Sequence, residues 1–411
     1  MHDPAHIDIA ISGARPKAMA ALLRYFRDLD TAEEAFQEAC LRALQTWPQK
    51  GPPRDPTAWL VMVGRNAALD SKRRTGRNAP LPDADTFADP SDAMTAERLD
   101  ESYYGDDILR LLFVCGHPSL AATQQIVLAL RIVSGLTVEQ IAKAFLVSPS
   151  AMEQRITRAK RAIANIGVEF ETPGAAERHA RLAAVMAMVY LIFNEGYGSA
   201  PDTAEARQPL ADEAIRLGRL LLDLFPNDPE VSGLLALMLL QHSRTPARFD
   251  ANDEIVLLDE QDRSLWNWSL IDEGRRLLAK ASVHHDPGAY QVQAAIAALH
   301  ARATGPEDTP WQEIDSLYQV FEALQPSPVV TLNRTVVVWK LHGAKAALEM
   351  IDPLRKDLDG YFYFHGLRGT LLKALGRLDE ARIALTRAIA LANSVAEANL
   401  IRRELDGLAV T

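Results

Sequence analysis

Apolar residues recur along this chain at intervals of three and four, the period of helices packed on one face, with no run of strand-like alternation to compete with it. Asp30-Thr31-Ala32-Glu33-Glu34 predicts a helix start, with acids in the first turn where the helix dipole favours them. Ala35, Phe36, Ala39, Cys40, Ala43 and Leu44 then recur on one face and leave Glu33, Glu34, Gln37, Glu38 and Arg42 on the others. That polar set is either a solvated surface or a docking face for a partner. Pro48 and Gly51-Pro52-Pro53 are expected to end the helix in a loop. Asp55-Pro56 leads into a further helix whose core-facing positions are Trp59, Leu60, Val63, Ala67 and Leu69, and whose end collects Arg65, Lys72, Arg73, Arg74 and Arg77. Cations at a helix C-terminus also complement the dipole, so this cluster does not speak for function by itself.

The stretch Leu136 to Ile163 predicts two short helices. Thr137 stands three residues before Gln140, the capping-box spacing, and Ile141, Ala142 and Phe145 follow at helical intervals. Ser148 as N-cap and Pro149 as first residue open the second helix, with Met152, Ile156 and Ala159 as its apolar stripe and Leu146-Val147 as the joint. Two helices closed face to face by a tight turn form a helix-turn-helix, or else an ordinary surface hairpin with solvated charges; the Gly often found in such turns is here Leu146. The outward face carries Ser150, Glu153, Gln154, Arg155 and Arg158, with Lys160 and Arg161 beyond. Gln and Arg suit base edges, and the terminal basic residues suit phosphates.

Residues 76–107 contain Pro80, Pro82 and Pro90 among many Asp, a composition that predicts a linker. Asp107 to Leu120 begins the packing of the next module, and Cys115-Gly116-His117-Pro118 breaks its helix, His117 being a turn or capping residue. Beyond Ile166 the pattern is helical throughout. Leu341 and Leu375, Ala347 and Ala381, Ile351 and Leu385, and Leu354 and Ala388 are each 34 apart, the tetratricopeptide period, so the tail is expected to stack helix pairs into an array with a concave groove.

Composition changes the picture in one respect. The 411 residues carry a net charge of −10, which would argue against nucleic acid if it were evenly spread. It is not: residues 1–166 hold 20 Lys and Arg against 20 Asp and Glu, so the whole deficit lies in the tail. Within the first part, residues 78–107 hold nine acids and one base, leaving two modestly basic modules on an acidic tether, compatible with phosphate contacts. No apolar run is long enough to cross a bilayer, and the N-terminus lacks the basic and apolar regions of a secretory signal, so a cytoplasmic protein is expected. Two cysteines, Cys40 and Cys115, without metal-ligand spacing leave reduced thiols as the expectation, with no metal and no cofactor.

An acidic helix, a Pro-rich loop, a helix with the pattern Trp59-Leu60, Arg65-Asn66, Leu69-Asp70 and Arg73-Arg74, a linker and a helix-turn-helix, in that order, resemble a bacterial sigma factor of the extracytoplasmic-function class. Asp30, Glu33, Glu34, Gln37 and Glu38 match the second conserved sub-region, and Leu136 to Ile163 the fourth region. The long helical tail, with Tyr190 to Tyr197 and Asp259 to Trp266, is similar to the subgroup that carries a tetratricopeptide-like extension. The resemblance implies region 2 at 1–77, an acidic linker at 78–107, region 4 at 108–166 and the extension at 167–411. It further implies docking of Glu33, Glu34, Gln37 and Glu38 on the β′ clamp helices of core RNA polymerase, a region 4 contact with the β flap, and promoter contacts by Trp59, Arg65, Asn66, Lys72, Arg73 and Arg74. Trp59 is either a core residue or a stacking platform. Regulation would pass through the extension, by an intramolecular or protein partner, without a membrane anchor.

A polymerase-independent regulator with a sensing tail would need the helix-turn-helix but not the acidic face. An enzyme built on Glu195, Tyr197, His284 and His285 lacks a nucleophile-base pattern, a phosphate loop or metal spacing, and no catalysis is expected. Glu195, Tyr197, Asp259, Asp262 and Arg263 form either a ligand or interdomain site, or helix caps and ion pairs.

Overall fold

The computed structural model describes residues 4–75, 101–166, 175–198, 201–284 and 287–408. Among them the fold is all-α, with a single isolated bridge between Phe249 and Ile255 as its one piece of β pairing. Two compact units, Met1–Ile192 and Phe193–Thr411, divide the chain.

The first unit opens with three long helices, α1 (Pro4–Phe26), α2 (Leu29–Lys50) and α3 (Pro56–Thr75), each packed on the other two. Met19, Leu22, Leu23, Phe36 and Leu60 are fully buried between them. The N-cap of α2 is Asp28, whose carboxylate accepts from the Thr31 amide at 2.7 Å, so the helix starts slightly ahead of the expected Asp30. Pro48 does not end it. A proline in the last turn forfeits one hydrogen bond only, and the helix runs on to Lys50, where Gly51 at φ 78° closes it. Leu44 is 55% exposed and not core: Trp47, at 2%, takes the position one turn beyond Ala43.

Residues 76–100 of the expected linker lie outside the described residues. Its last part is helix: α4 (Glu101–Cys115) begins at Glu101, and Asp107 is buried against Arg24 at 3.1 Å and Arg110 at 3.4 Å. His117 is a turn residue, its Nδ1 accepting from the Ser119 amide at 3.2 Å. After α5 (Ala122–Leu128) a π-helical turn, Ala129–Ser134, ends at Gly135 with φ 81°. The helix-turn-helix follows as α6 (Val138–Ala144) and α7 (Pro149–Ile166). The Thr137–Gln140 capping box is made in both directions, at 2.8 and 3.1 Å, and the Ala151 amide donates to Ser148 Oγ at 3.2 Å. Met152, Ile156, Ala159 and Ile163 are the buried stripe of α7. Leu146, exposed in the joint, takes the left-handed conformation (φ 53°) that usually falls to glycine. Both cysteines are free thiols; burial pushes Cys115 up to about 12 and Cys40, half-buried, up to about 11.

The helix α8 (Ala175–Tyr197) crosses from the first unit to the second, which continues with α9 (Pro201–Leu224), α10 (Pro229–His242), α11 (Trp268–Ala281) and α12 (Ala289–Arg302). Every residue of α10 from Val231 to Leu240 is buried, because α11 and α12 both pack on it. A Cβ on Gly233 would lie 2.7 Å from the Gln291 amide nitrogen, so that crossing requires glycine. The Glu230 carboxylate accepts from the Tyr290 and Gln291 amides at the N-terminus of α12 (3.1 and 3.0 Å), where a negative charge is favoured. The array ends with α13 (Trp311–Leu324), α14 (Pro328–Ile351), α15 (Phe362–Ala374), α16 (Leu378–Leu391) and α17 (Val395–Asp406). Gly343, φ 85°, breaks α14 into a helix pair, and Gly376, φ 72°, 33 residues further on, turns α15 into α16. Four of the repeated positions, Ala347, Ile351, Ala381 and Leu385, are at 0% exposure in one core, as stacked repeats require.

Candidate nucleic-acid and polymerase interface

The two expected functional faces lie on helices of the first unit. On α7 the buried stripe turns Ser150, Glu153, Gln154, Arg155 and Arg158 outward, and all five are exposed. An exposed row of amide and guanidinium groups on a helix-turn-helix second helix can reach base edges in a major groove. Lys160 departs from this row. Its side chain is 17% exposed and its ammonium pairs with Asp30 Oδ1 at 2.6 Å and Glu33 Oε2 at 2.7 Å, both on α2. Burial pulls the Lys160 pKa down, yet hydrogen bonds from the ammonium to Asp30 and Glu33 outweigh it and leave it raised.

On α2 the expected docking set also divides. Glu33 is buried at 4%, paired with Arg131 Nη2 (2.7 Å) as well as Lys160, and accepts from Gln37 Nε2 at 3.2 Å. Glu34 and Gln37 are exposed, and Glu38 is half-buried in an ion pair with Arg42 at 3.0 Å. Farther along the same face stand Leu41 and Leu44, 56% and 55% exposed. With Glu34 and Gln37 they occupy helical positions i, i+3, i+7 and i+10, one stripe that passes from acidic to apolar. Their exposure is invisible in the sequence, since Leu beside Ala43 reads as core.

On α3, Trp59 is half-buried and packs edge-on against Trp47, ring centroids 5.2 Å apart. Arg65 lies over the Tyr25 ring at 5.6 Å, and Asn66 is exposed. Lys72, Arg73 and Arg74 fall on the last turns of α3, and their side chains lie outside the described residues.

Arg15 and Arg131 are the residues that sequence reasoning missed. Arg15 donates to the carbonyls of Arg131 (3.0 Å) and Ile132 (3.2 Å) and sits over the Phe36 ring at 4.8 Å. A single cation in the apolar run around Leu130 and Ile132 was the available signal for Arg131.

In the second unit the quoted stretches resolve into caps and pairs. Asp262 caps the turn Arg263–Leu265 through the Ser264 amide, and Asp259 pairs with Lys340 at 2.7 Å. Arg263 donates to the His300 carbonyl at 2.7 Å and to that of Ala303, and lies over the Trp266 ring. Tyr197 OH accepts from Arg244 at 3.1 Å, and Arg248 covers its ring at 4.1 Å. Glu195 is half-buried at the end of α8; His284 closes a short turn after α11, and His285 lies outside the described residues. No group of three His, Cys, Asp or Glu able to hold a metal occurs among the described residues, and no described helix is long and apolar enough to cross a membrane.

Comparison with known proteins finds three family matches along the chain. Sigma-70 region 2 matches residues 11–78, sigma-70 region 4 matches residues 112–163, and a family of unknown function, DUF6596, matches residues 181–282. An uncharacterized protein of Rhizobium meliloti (strain 1021) is 61% identical over 411 residues, covering 100% of this chain and 97% of the relative. No solved structure matches. The chain is an ECF-like sigma factor with a C-terminal helical extension, a DNA-binding partner of RNA polymerase in promoter recognition.

Proposed function

We propose that α2 docks the chain on the β′ clamp helices through Glu34, Gln37, Glu38, Leu41 and Leu44. The carrying observation is the exposed acidic-to-apolar stripe on that helix: apolar side chains left in water beside acids fit a partner helix with complementary cations and grooves. A regulator working without polymerase has no use for such a stripe. Region 4 then reads the upstream promoter element with Ser150, Glu153, Gln154, Arg155 and Arg158, and contacts the β flap, while Lys160 stays with its carboxylate partners on α2. Region 2 holds the melted downstream element with Trp59, Arg65, Asn66, Lys72, Arg73 and Arg74. Trp59, half-buried and edge-packed on Trp47, has a fixed seat from which to stack on an extruded base. The helical extension regulates this activity through an intramolecular or protein partner, and the chain acts in the cytoplasm, by binding and without catalysis.

Run-off transcription from a matched promoter with purified core polymerase tests the reading, comparing the full chain, residues 1–192, and Glu34→Lys/Leu41→Asp in the full chain. Initiation by the full chain that the double variant loses supports the docking face. Equal initiation by the double variant refutes it. A changed output from residues 1–192 gives the sign of the extension's control, and an unchanged output removes its regulatory role.

A further inference from the structure

The helices α11 and α12 both pack on α10, and an open cavity of about 650 Å³ remains between them. Its walls are mainly apolar, with Leu278 from α11 and Val292, Ala295 and Leu299 from α12. Val292 is buried in the core shared with α13 and α14, and Leu299 packs against that core, so the α12 wall is fixed in place. Leu278, Ala295 and Leu299 nevertheless remain only half-buried. Near the connection between the two helices the polar groups already have partners: Ser282 Oγ donates to the Ala279 carbonyl at 2.9 Å, and Gln291 Nε2 to Glu230 at 3.3 Å. The charges in the lining are two arginines, Arg275 on α11 and Arg302 on α12, each the lining residue of its helix farthest from that connection. Both are exposed. Arg302 pairs with Glu313 at 2.8 Å, and Arg275 has no carboxylate partner among the described residues. A pair between two exposed side chains is weak, so Arg302 can be shared with an incoming anion.

We propose that this cavity binds a small amphiphilic acid, with its apolar tail between Leu278 and Leu299 and its carboxylate toward Arg275 and Arg302. The volume falls within the range of sites that enclose small ligands. From Gln291 to Arg302 the α12 wall is about 16 Å long, a length that an extended alkyl chain of about a dozen carbons fills. The distribution of charge selects this occupant over a protein helix. An acidic amphipathic helix carries its acids along its length and calls for cations along both walls, whereas here the cations stand away from the connection and the rest of the lining is uncharged. Burial of the tail supplies the affinity. The guanidiniums, which make paired hydrogen bonds to carboxylates, supply the choice of head group. The site stands on the cavity alone and goes beyond the proposed function: binding holds whether or not the extension controls initiation.

The test titrates the full chain with dodecanoate by calorimetry, below its micelle-forming concentration. Dodecan-1-ol offers the same tail without charge, dodecylammonium reverses the charge, and acetate lacks the tail. Dodecanoate is expected to bind at a single site, about tenfold more tightly than dodecan-1-ol and than it binds the double variant Arg275→Gln/Arg302→Gln. Acetate and dodecylammonium should not bind. Ala295→Phe, which fills the cavity, should abolish dodecanoate binding with unchanged helical content by circular dichroism; the arginine variants, at exposed positions, decide the matter should that substitution disturb folding. Absence of dodecanoate binding overturns the proposal, as does equal binding of dodecylammonium or undiminished binding by the arginine double variant. A dimer in sedimentation that Ala295→Phe dissociates assigns the cavity to a second copy of the chain, and an acidic helical peptide that displaces dodecanoate at lower concentration assigns it to a protein partner; either result also overturns it.

Discussion

Gly64 is where region 2 is most sensitive to a single methyl group. It lies in α3 where that helix crosses α2, and a Cβ there would stand 2.7 Å from the Ala35 carbonyl oxygen and 3.1 Å from its carbon. Ordinary contact needs about 3.5 Å, so α3 must withdraw by about 0.8 Å or tilt. Two effects of Gly64→Ala oppose each other. Removing glycine from a helix interior gains about 1 kcal/mol, while overpacking a well-filled crossing costs about 1–3 kcal/mol. The obstructing atom is backbone in the middle of α2, which cannot swing aside as a side chain can, so the cost should prevail by about 1–2 kcal/mol. Gly13→Ala is the matched control, an exposed position of α1 with nothing within 4 Å of its added Cβ. Hydrogen exchange by mass spectrometry on the full chain, read at α2 and α3 amides, gives the local opening free energy of each variant. Gly64→Ala should lose protection where Gly13→Ala gains it. A promoter-melting assay should fall with it, because Trp59, Arg65 and Asn66 ride on the displaced helix. Equal stabilisation by both substitutions would refute the close-approach argument.

In the second unit, His300 is held neutral: burial lowers its pKa from 6.5 to about 4, with Arg244 adding to the effect. The unfolded chain therefore binds the extra proton first, so the extension is fully stabilised above pH 6.5 and loses about 3 kcal/mol as pH falls to about 4. Urea melts of the full chain followed by exchange at α12 amides should reveal that window, and His300→Phe should flatten it. Arg334 donates to Asp315, 6% exposed, at 2.8 Å and to Glu322 at 2.7 Å, so Arg334→Met leaves a buried carboxylate without its cation, held only by Gln319 Nε2 at 2.7 Å. Destabilisation of α13 and α14 by about 3 kcal/mol is expected in the same exchange experiment. Arg155→Ala or Arg158→Ala should weaken promoter binding by about 1–3 kcal/mol if the guanidinium reads a base, measured by fluorescence anisotropy on the polymerase complex at fixed salt. Unchanged affinity removes that residue from the reading row.

The sequence by itself determined whatever depends on neighbours within a turn or two. The Thr137–Gln140 box, Ser148 and Pro149 at the start of α7, its buried stripe of Met152, Ile156 and Ala159, and the 34-residue repeat of Ala347 with Ala381 are all local regularities. They specify helices and the side each one buries. The outward row on α7 follows from the same stripe. Tertiary structure decided what lies opposite each face. Leu44 reads as core until Trp47 is seen to take its place, and Pro48 reads as a terminator until the last turn is seen to need one bond fewer. Glu33 and Lys160, placed by pattern on two different functional surfaces 127 positions apart in the chain, meet at 2.7 Å. No periodicity encodes that pairing, because an ion pair between distant segments depends on how whole helices cross, and a charged residue looks the same in sequence whether its partner is water, DNA, polymerase or its own chain.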